Sequence, residues 1–376
     1  MTERMVIGVV GLGAMGLGIA QVYAQVGFTV LATDAQLATR EMAKSRLAEA
    51  LAERVKAGKL TSEVRESTLS RLSIVDNLRG LMPAGLIIEA IVESIDAKRQ
   101  VFSELEKIVA EDAIFASNTS SLSIAAIGDG LSSGARLLGL HFFNPAPVMR
   151  LVELIAHAGT DNNALLEARE VTEAAGKIVI AAPDLPGFIV NRCARPFYGE
   201  ALALLEEGRT AAEIDAAMVS AGYRIGPFGL IDLVGADINL AATQGLAKAM
   251  GFHPRYHVFD ALVSQVGKGE LGRKSGSGFV FPNPPVSAPA DAKAIVLRIE
   301  ATLANEAASL LVEPGVEEAD IDTALKLGLN FPRGPVQSAR LHSLSTIKET
   351  LALLEERAPP HLKGRYRLSP ALETMI

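Results

Sequence analysis

Val6-Ile7-Gly8-Val9-Val10-Gly11-Leu12-Gly13-Ala14-Met15-Gly16 is the stretch from which the fold is read. An apolar run ends in a Gly-x-Gly-x-x-Gly loop, and the chain continues with helical spacing from about Met15 to Gly27, giving strand, tight loop and helix in succession. The first glycine serves the tight turn, the second admits backbone close to a pyrophosphate, and the third lets helix pack on strand. The anion then rests at the positive end of the helix. Asp34 closes the next apolar run 18 residues after Gly16. Its carboxylate suits both ribose hydroxyls and repels a 2′-phosphate, and no Arg follows it directly, so the residues favour NAD over NADP. Gly11, Leu12, Gly13, Ala14, Met15, Gly16 and Asp34 form the candidate cofactor site. The glycines alone would serve FAD equally well.

Outward from this loop, short apolar runs alternate with amphipathic stretches as far as Ala182, the pattern of βαβ units and a mainly parallel sheet. Strands are predicted at Val6–Val10, Thr29–Thr33, Leu86–Glu89, Ile114–Ser117, Leu137–His141, Leu151–Ile155 and Lys177–Ile180. After Pro183-Asp184-Leu185-Pro186-Gly187 the β-type runs stop and an Ala/Leu/Glu-rich helical pattern takes over. Pro282-Asn283-Pro284-Pro285-Val286-Ser287-Ala288-Pro289 reads as an extended, exposed linker. Beyond it the helical pattern repeats. Ala212-Glu213-Ile214-Asp215-Ala216-Ala217 returns as Ala319-Asp320-Ile321-Asp322-Thr323-Ala324, Gly226-Pro227 as Gly334-Pro335, and Glu200-Ala201 as Glu306-Ala307. Thr210 with Glu213 predicts a capping box at one helix start. The expected organisation is therefore α/β: a Rossmann-type domain over 1–183, a helical domain over 184–281, a linker over 282–291 and a second, degenerate helical copy over 292–376.

Bulk composition narrows the function classes. A chain of 376 residues has room for two or three domains, and 49% hydrophobic with 21% charged residues describes a packed chain, not a disordered one. The net charge of -7, with no dense Lys/Arg cluster, argues against nucleic acid as a partner. No apolar run reaches the roughly 18 residues that span a bilayer, and the Arg and apolar run near the N-terminus lead into the glycine loop instead of a cleavage site. The lone Cys193 lies in an apolar helical stretch and is expected to be buried and inert. A cytoplasmic location is expected.

Candidate chemistry lies downstream. Ser117-Asn118-Thr119-Ser120-Ser121 follows a predicted strand, where open α/β sheets place ligand contacts, although a small polar run also suits an ordinary turn. His141 leaves the next strand into Phe142-Phe143-Asn144-Pro145, and Glu153 is the one carboxylate in the apolar strand Leu151-Val152-Glu153-Leu154-Ile155. A buried carboxylate needs a partner, and His141, 12 residues upstream, is the candidate. Such a pair fixes the imidazole tautomer and stabilises the imidazolium formed when the ring takes a proton. Asn191, in Pro186-Gly187-Phe188-Ile189-Val190-Asn191-Arg192, falls on the first turns of a helix that Pro196 should loosen.

Taken together, in order and spacing, these motifs resemble the L-3-hydroxyacyl-CoA dehydrogenase family, including its 3-hydroxybutyryl-CoA members, over residues 5 to about 281. The resemblance implies a Rossmann-type NAD domain followed by a helical domain, and oxidation of (S)-3-hydroxyacyl-CoA to 3-ketoacyl-CoA, as in fatty-acid β-oxidation. It makes His141 the general base, Glu153 its orienting partner, and Ser120 and Asn191 hydrogen-bonding groups around the substrate oxygen. Ser120 and Asn144 are also expected at the cofactor and near the CoA moiety. Glu93 and Lys98 are implied near the nicotinamide, and Lys274 is brought back to the cofactor. Where the family offers Ser and Lys to CoA, this chain has Ala50 and Ala57, with Lys56 and Lys59 nearby as substitutes. The second helical copy has Leu297 at the position of Asn191 and no Pro-Gly-Phe entry, so it is expected to be structural. By covering the face that dimerises in shorter relatives, it would favour a monomeric pseudo-dimer over a homodimer. The opening Gly-Leu-Gly-x-Met-Gly also suits 3-hydroxyisobutyrate and 6-phosphogluconate dehydrogenases, whose glycine-rich helix with a catalytic Lys is not found here; a catalytically silent NAD-binding relative is the other alternative. No metal is expected.

Overall fold

In the computed structural model, which describes residues 5–283 and 287–375, the strand-forming residues of the first half assemble into one eight-stranded sheet. Its strands are β1 (Ile7–Val10), β2 (Val30–Thr33), β3 (Leu72–Ile74), β4 (Leu86–Glu89), β5 (Ile114–Ser117), β6 (Leu137–Phe142), β7 (Leu151–Ala156) and β8 (Ile178–Pro183). The order is β3-β2-β1-β4-β5-β6-β7-β8. The chain moves outward in opposite directions from β1, and the gap between β1 and β4 is the point where open sheets bind ligands. All neighbours are parallel except β6 and β7. Only about eight residues separate these two strands, too few for the crossover of a dozen or more that a parallel pair requires. The central strands are fully buried, as expected when helices cover both faces.

The helices of this half are α1 (Ala14–Gln25), α2 (Leu37–Lys56), α3 (Ser62–Arg71), α4 (Ile95–Leu105), α5 (Ile124–Gly128) and α6 (Asn162–Ala174). β3 is a strand that the sequence reading does not contain, because its three residues, Leu-Ser-Ile, are too few to carry a period and the pairing with β2 alone makes it a strand.

Residues 5–185 form one compact unit and 186–375 the other. The second is helical: α7 (Val190–Glu206), α8 (Ala211–Ser220), α9 (Pro227–Val234), α10 (Ala236–Ala249), α11 (Asp260–Gly267), α12 (Ala292–Leu310), α13 (Glu318–Gly328), α14 (Pro335–Ala339), α15 (Leu344–Arg357) and α16 (Leu372–Met375). The two sequence copies thus share one core. Ser287, Ala288, Ala290 and Asp291 of the expected linker are exposed, while Pro284, Pro285 and Val286 lie outside the described residues.

The repeated motifs have repeated jobs. Asp215 on α8 accepts the backbone N–H groups of Phe228 and Gly229 at 2.9 and 2.7 Å, and Asp322 on α13 accepts those of Val336 and Gln337 at 2.8 and 3.2 Å. Each carboxylate fills orphan donors at the start of the helix that Gly-Pro opens. A Cβ on Gly226 would come within 2.5 Å of the Asp215 Cα, and one on Gly334 would strike Asp322 in the same way, which is why both copies keep glycine. Burial pushes the Asp215 carboxyl up to about 7 against the lowering effect of those backbone N–H groups. The capping box of Thr210 and Glu213 is present at α8, and Cys193 is fully buried.

The two copies meet through α7 and α12 in a reciprocal arrangement. Arg192 on α7 donates to Glu306 on α12 at 2.6 Å, and Arg298 on α12 donates to Glu200 on α7, also at 2.6 Å. Glu306 further receives Arg255 and the Tyr256 hydroxyl, and Glu200 receives Arg365 and the Tyr366 hydroxyl. Both glutamates are fully buried. Neither could be tolerated inside without its cations, and removing one partner of a buried pair is costly. Glu200→Ala strands Arg365 and leaves Arg298 with Glu207 alone, and is expected to lower stability by about 3–5 kcal/mol in urea unfolding; a loss below about 1 kcal/mol would remove this network as a stabilising element.

Candidate active site

The glycine loop, Asp34, the Ser117–Ser121 run and His141 all sit at the carboxyl ends of strands. Gly11 follows β1 with φ +96°, a conformation that only glycine adopts freely, and a Cβ there would meet the Ala90 carbonyl oxygen at 2.5 Å. A Cβ on Gly16 would collide with the Gly11 carbonyl, so this glycine lets α1 pack against the end of β1. Gly13 differs: a Cβ there would meet no atom within 4 Å. Its glycine leaves space above the backbone, the cradle that a pyrophosphate would fill at the start of α1. Leu12 is buried, Met15 partly so, and Ala14 is exposed. Asp34, just past β2, accepts the Leu12 N–H at 2.8 Å through one oxygen and the Gln36 N–H at 2.9 Å through the other. It ties the glycine loop to the second strand while keeping acceptor lone pairs for hydroxyl donors.

Beside the loop lies a carboxylate-ammonium network. Glu89, the last residue of β4, is fully buried and receives the Lys98 ammonium at 2.7 Å, the Ser117 hydroxyl at 2.7 Å and the Ile91 N–H at 2.7 Å. Lys98 also lies 3.2 Å from Glu93. Glu93 accepts from the Thr119 hydroxyl at 2.6 Å, the Ser120 N–H at 3.1 Å and the Ser121 hydroxyl at 3.0 Å. Burial alone would raise the Glu93 carboxyl, but the Thr119 bond, the Lys98 charge and the Ser121 and Ser120 bonds together hold it below the usual carboxylate range. The Ser117–Ser121 run is therefore a loop folded around Glu93. Glu89 is the residue that sequence reasoning missed; a lone carboxylate ending an apolar parallel strand next to the glycine loop was the available signal.

His141 and Glu153 stand directly opposite each other in the antiparallel register of β6 and β7. The Nδ1 of His141 lies 2.7 Å from Glu153 Oε2, and Glu153 is fully buried. The Phe143 ring packs 4.4 Å from the imidazole. Asn118 Oδ1 accepts the Phe142 N–H at 2.8 Å, binding the loop after β5 to the strand that carries His141. Lys177 donates to the Ala146 and Met149 carbonyls and so holds the connection containing Asn144, itself exposed; burial pushes its ammonium down to about 8. Neither Asn118 nor Lys177 was singled out from the sequence. Asp184 accepts from the Ser123 hydroxyl and from the Ile124 and Ala125 N–H groups, all at 2.8 Å, capping α5 from the end of this unit.

The remaining candidates are dispersed. Lys56 ends α2, and both it and Lys59 are exposed on the short connection to α3. Asn191 is the second residue of α7, half-buried, on a helix that contains Pro196. Lys274 belongs to the second unit, where its ammonium pairs with Asp237 at the first turn of α10. A cavity of about 850 Å³ in that unit, walled by Val219, Leu230, Leu233 and Leu329 among others, contains none of the expected site residues. No group of three metal-ligating side chains occurs among the described residues, and no described helix is long and apolar enough to cross a membrane.

A glycine loop at the switch point of a doubly wound sheet, an acidic residue after β2 and a His–Glu pair two strands beyond β4 define a nucleotide-dependent dehydrogenase architecture. The NAD-binding domain model of 3-hydroxyacyl-CoA dehydrogenase matches residues 6–185, and the C-terminal domain model of the same family matches residues 187–281 and 295–376. The chain belongs to the NAD-dependent 3-hydroxyacyl-CoA dehydrogenase family. It is 39% identical over 282 residues to the human mitochondrial hydroxyacyl-coenzyme A dehydrogenase, covering 72% of this chain and 89% of the relative. It is 41% identical over 282 residues to the Escherichia coli 3-hydroxyadipyl-CoA dehydrogenase, covering 74% of this chain but 59% of that longer protein. The solved structure of an E. coli 3-hydroxybutyryl-CoA dehydrogenase superimposes with a TM-score of 0.90 at 29% identity, over 99% of this chain and 98% of the other.

Because a methyl at Gly13 meets no protein atom, Gly13→Ala is expected to keep the wild-type melting temperature while weakening NADH binding by about tenfold or more, measured by fluorescence titration. Undiminished affinity would remove this loop from the cofactor site.

Proposed function

We propose that His141 is the general base of a reversible oxidation of (S)-3-hydroxyacyl-CoA to 3-ketoacyl-CoA. The observation that carries this reading is the 2.7 Å contact between His141 Nδ1 and a fully buried Glu153. An ionised Glu153 accepts the Nδ1 proton, which fixes the tautomer and leaves Nε2 as the basic nitrogen. As the 3-hydroxyl loses its proton to Nε2, the imidazolium that forms is stabilised by the carboxylate behind it. NAD, when bound, supplies the hydride acceptor. In the reverse direction the imidazolium returns the proton to the oxygen.

Glycine-loop backbone, Asp34 and the Glu93–Lys98 pair are assigned to holding the cofactor. Lys98 has three donors, of which Glu89 and Glu93 use two, so one remains for a ligand acceptor. Ser120 and Asn191 are assigned to the substrate oxygen, where donors polarise the reacting carbonyl, with Asn144 beside the cofactor and the thioester. Lys274 is assigned to the cofactor. Lys56 and Lys59 are assigned to CoA phosphates, in place of Ala50 and Ala57. The domain limits are taken as 1–183, 184–281 and 292–376 about the 282–291 linker. A reducing, cytoplasmic setting suits the single buried thiol of Cys193.

The reciprocal contact of α7 and α12 has the form of a two-fold interface enclosed in one chain: Arg192–Glu306 mirrors Arg298–Glu200. We infer that the second copy occupies the surface through which a single-copy relative would dimerise. An (S)-3-hydroxybutyryl-CoA dehydrogenase from Ralstonia eutropha is matched over 100% of its length by 76% of this chain, which supports treating the second copy as an addition to a complete single-copy enzyme.

His141→Ala should lower kcat for acetoacetyl-CoA reduction by about 10²–10⁴ with little change in NADH affinity, and Glu153→Gln should lower it less, since the base survives but loses its anionic partner. Near-normal turnover in His141→Ala sinks the assignment. Light scattering coupled to gel filtration should return the mass of one chain; a concentration-independent dimer that persists after Arg298→Ala and Arg192→Ala would contradict the internal-dimer reading.

A further inference from the structure

Three buried or half-buried arginines of the helical unit are neutralised: Arg192 by Glu306, Arg298 by Glu200 and Glu207, and Arg365 by Glu200. Arg195 is not. It is 7% exposed on α7, and its hydrogen bonds go to neutral groups: Nε to the Asn191 carbonyl at 3.2 Å, Nη1 to the Asn239 carbonyl at 3.4 Å and to the Thr243 hydroxyl at 2.8 Å. Its guanidinium carbon lies 5.0 Å from the Tyr198 ring centre. Among the described residues no carboxylate pairs with it, and its Nη2 makes no hydrogen bond. Burial pushes this guanidinium below its ordinary value, with only the Tyr198 hydroxyl opposing.

A buried, uncompensated guanidinium is costly, and the cost is relieved when an anion supplies the missing charge. The anion must come from a ligand, and the planar fork of an arginine is matched to a carboxylate. Position adds a constraint. Asn191 and Arg195 are four residues apart, so they share one face of α7 and lie about 6 Å apart along its axis. Asn191 is the residue assigned to the oxygen on C3. Along an acyl chain with bonds of about 1.5 Å, C6 lies roughly 4 Å from C3, and a carboxylate there extends toward a donor at the next helical turn.

We propose that Arg195 is a specificity-determining residue that binds a second carboxylate at the far end of the acyl group, making CoA thioesters of six-carbon 3-hydroxy dicarboxylic acids the preferred substrates. The inference rests on the dehydrogenase reading and on the placement of Asn191 within it. It gives the ligand a second charge beyond those of CoA, held on the helical unit and separate from the proton-transfer pair.

The test compares 3-oxoadipyl-CoA with 3-oxohexanoyl-CoA, which have the same chain length and differ at C6 in carboxylate against methyl, by following NADH oxidation with the full chain. Wild type should favour the dicarboxylic substrate by at least tenfold in kcat/KM, chiefly through KM. Arg195→Gln should bring the ratio of the two values close to one, and Arg195→Lys should restore part of it. A wild-type ratio near one overturns the proposal, and so does an Arg195→Gln variant in which both substrates fall by the same factor, the signature of a packing role. If Arg195→Gln fails to fold, inhibition of the wild type by adipyl-CoA and hexanoyl-CoA decides: tighter inhibition by adipyl-CoA supports the site, and equal or weaker inhibition overturns it. Absence of turnover with either ketoacyl substrate in wild type would be a failure of the dehydrogenase reading, and calorimetric binding of the same two saturated thioesters would still report on Arg195.

Discussion

A single register decides whether this chain has an imidazole backed by a carboxylate: His141 opposite Glu153 across an antiparallel pair in an otherwise parallel sheet. In an antiparallel ladder, directly opposed residues bring their Cβ atoms to roughly 5 Å, close enough for a histidine and a glutamate to bond on one face. A slip of one residue would turn Glu153 to the other face and leave it buried without a partner. The burial of Glu153 and the short β6–β7 connection are therefore two sides of one constraint. The connection is held in turn by Lys177, whose ammonium closes onto the Ala146 and Met149 carbonyls.

The rest of the first unit supports that pair by fixing strand ends. Gly11 at β1, Glu89 at β4, Ser117 at β5 and His141 at β6 lie at the same edge of the sheet, because parallel strands leave it in one direction. Glu89, Lys98 and Glu93 link three of the segments that leave that edge. Hydrogen-bonded ion networks of this kind stiffen the segments they join, since breaking the Lys98–Glu89 bond leaves a buried charge without water. Asn118 then joins the β5 loop to β6.

The helical unit solves a different problem. Two copies of one motif bury their shared face by placing Arg192 against Glu306 and Arg298 against Glu200, each glutamate serving several cations. Leu297 stands at the position of Asn191 and no Pro-Gly-Phe entry precedes it, while the Asp–Gly-Pro clasp recurs in both copies because it closes a helix start. Against this pattern of neutralised arginines, the uncompensated Arg195 stands apart.

Much was legible in the residues alone. The glycine loop, the position of Asp34, the change from a sheet to helices and the pairing of His141 with Glu153 follow from period, spacing and the cost of a lone buried carboxylate, all of which are local or nearly local properties. Other features were not. β3 is a strand only because β2 is beside it; Glu89, Asn118 and Lys177 are important only because of what lies across from them; and Lys98, which reads as an ordinary helix-start lysine, is buried between two carboxylates. The sequence by itself determined most of the elements, β3 excepted, and which side chains are chemically able to react. Tertiary structure alone decided which of those side chains are desolvated and paired, because burial and hydrogen bonding belong to contacts between residues far apart in the chain, and no run of neighbours encodes them.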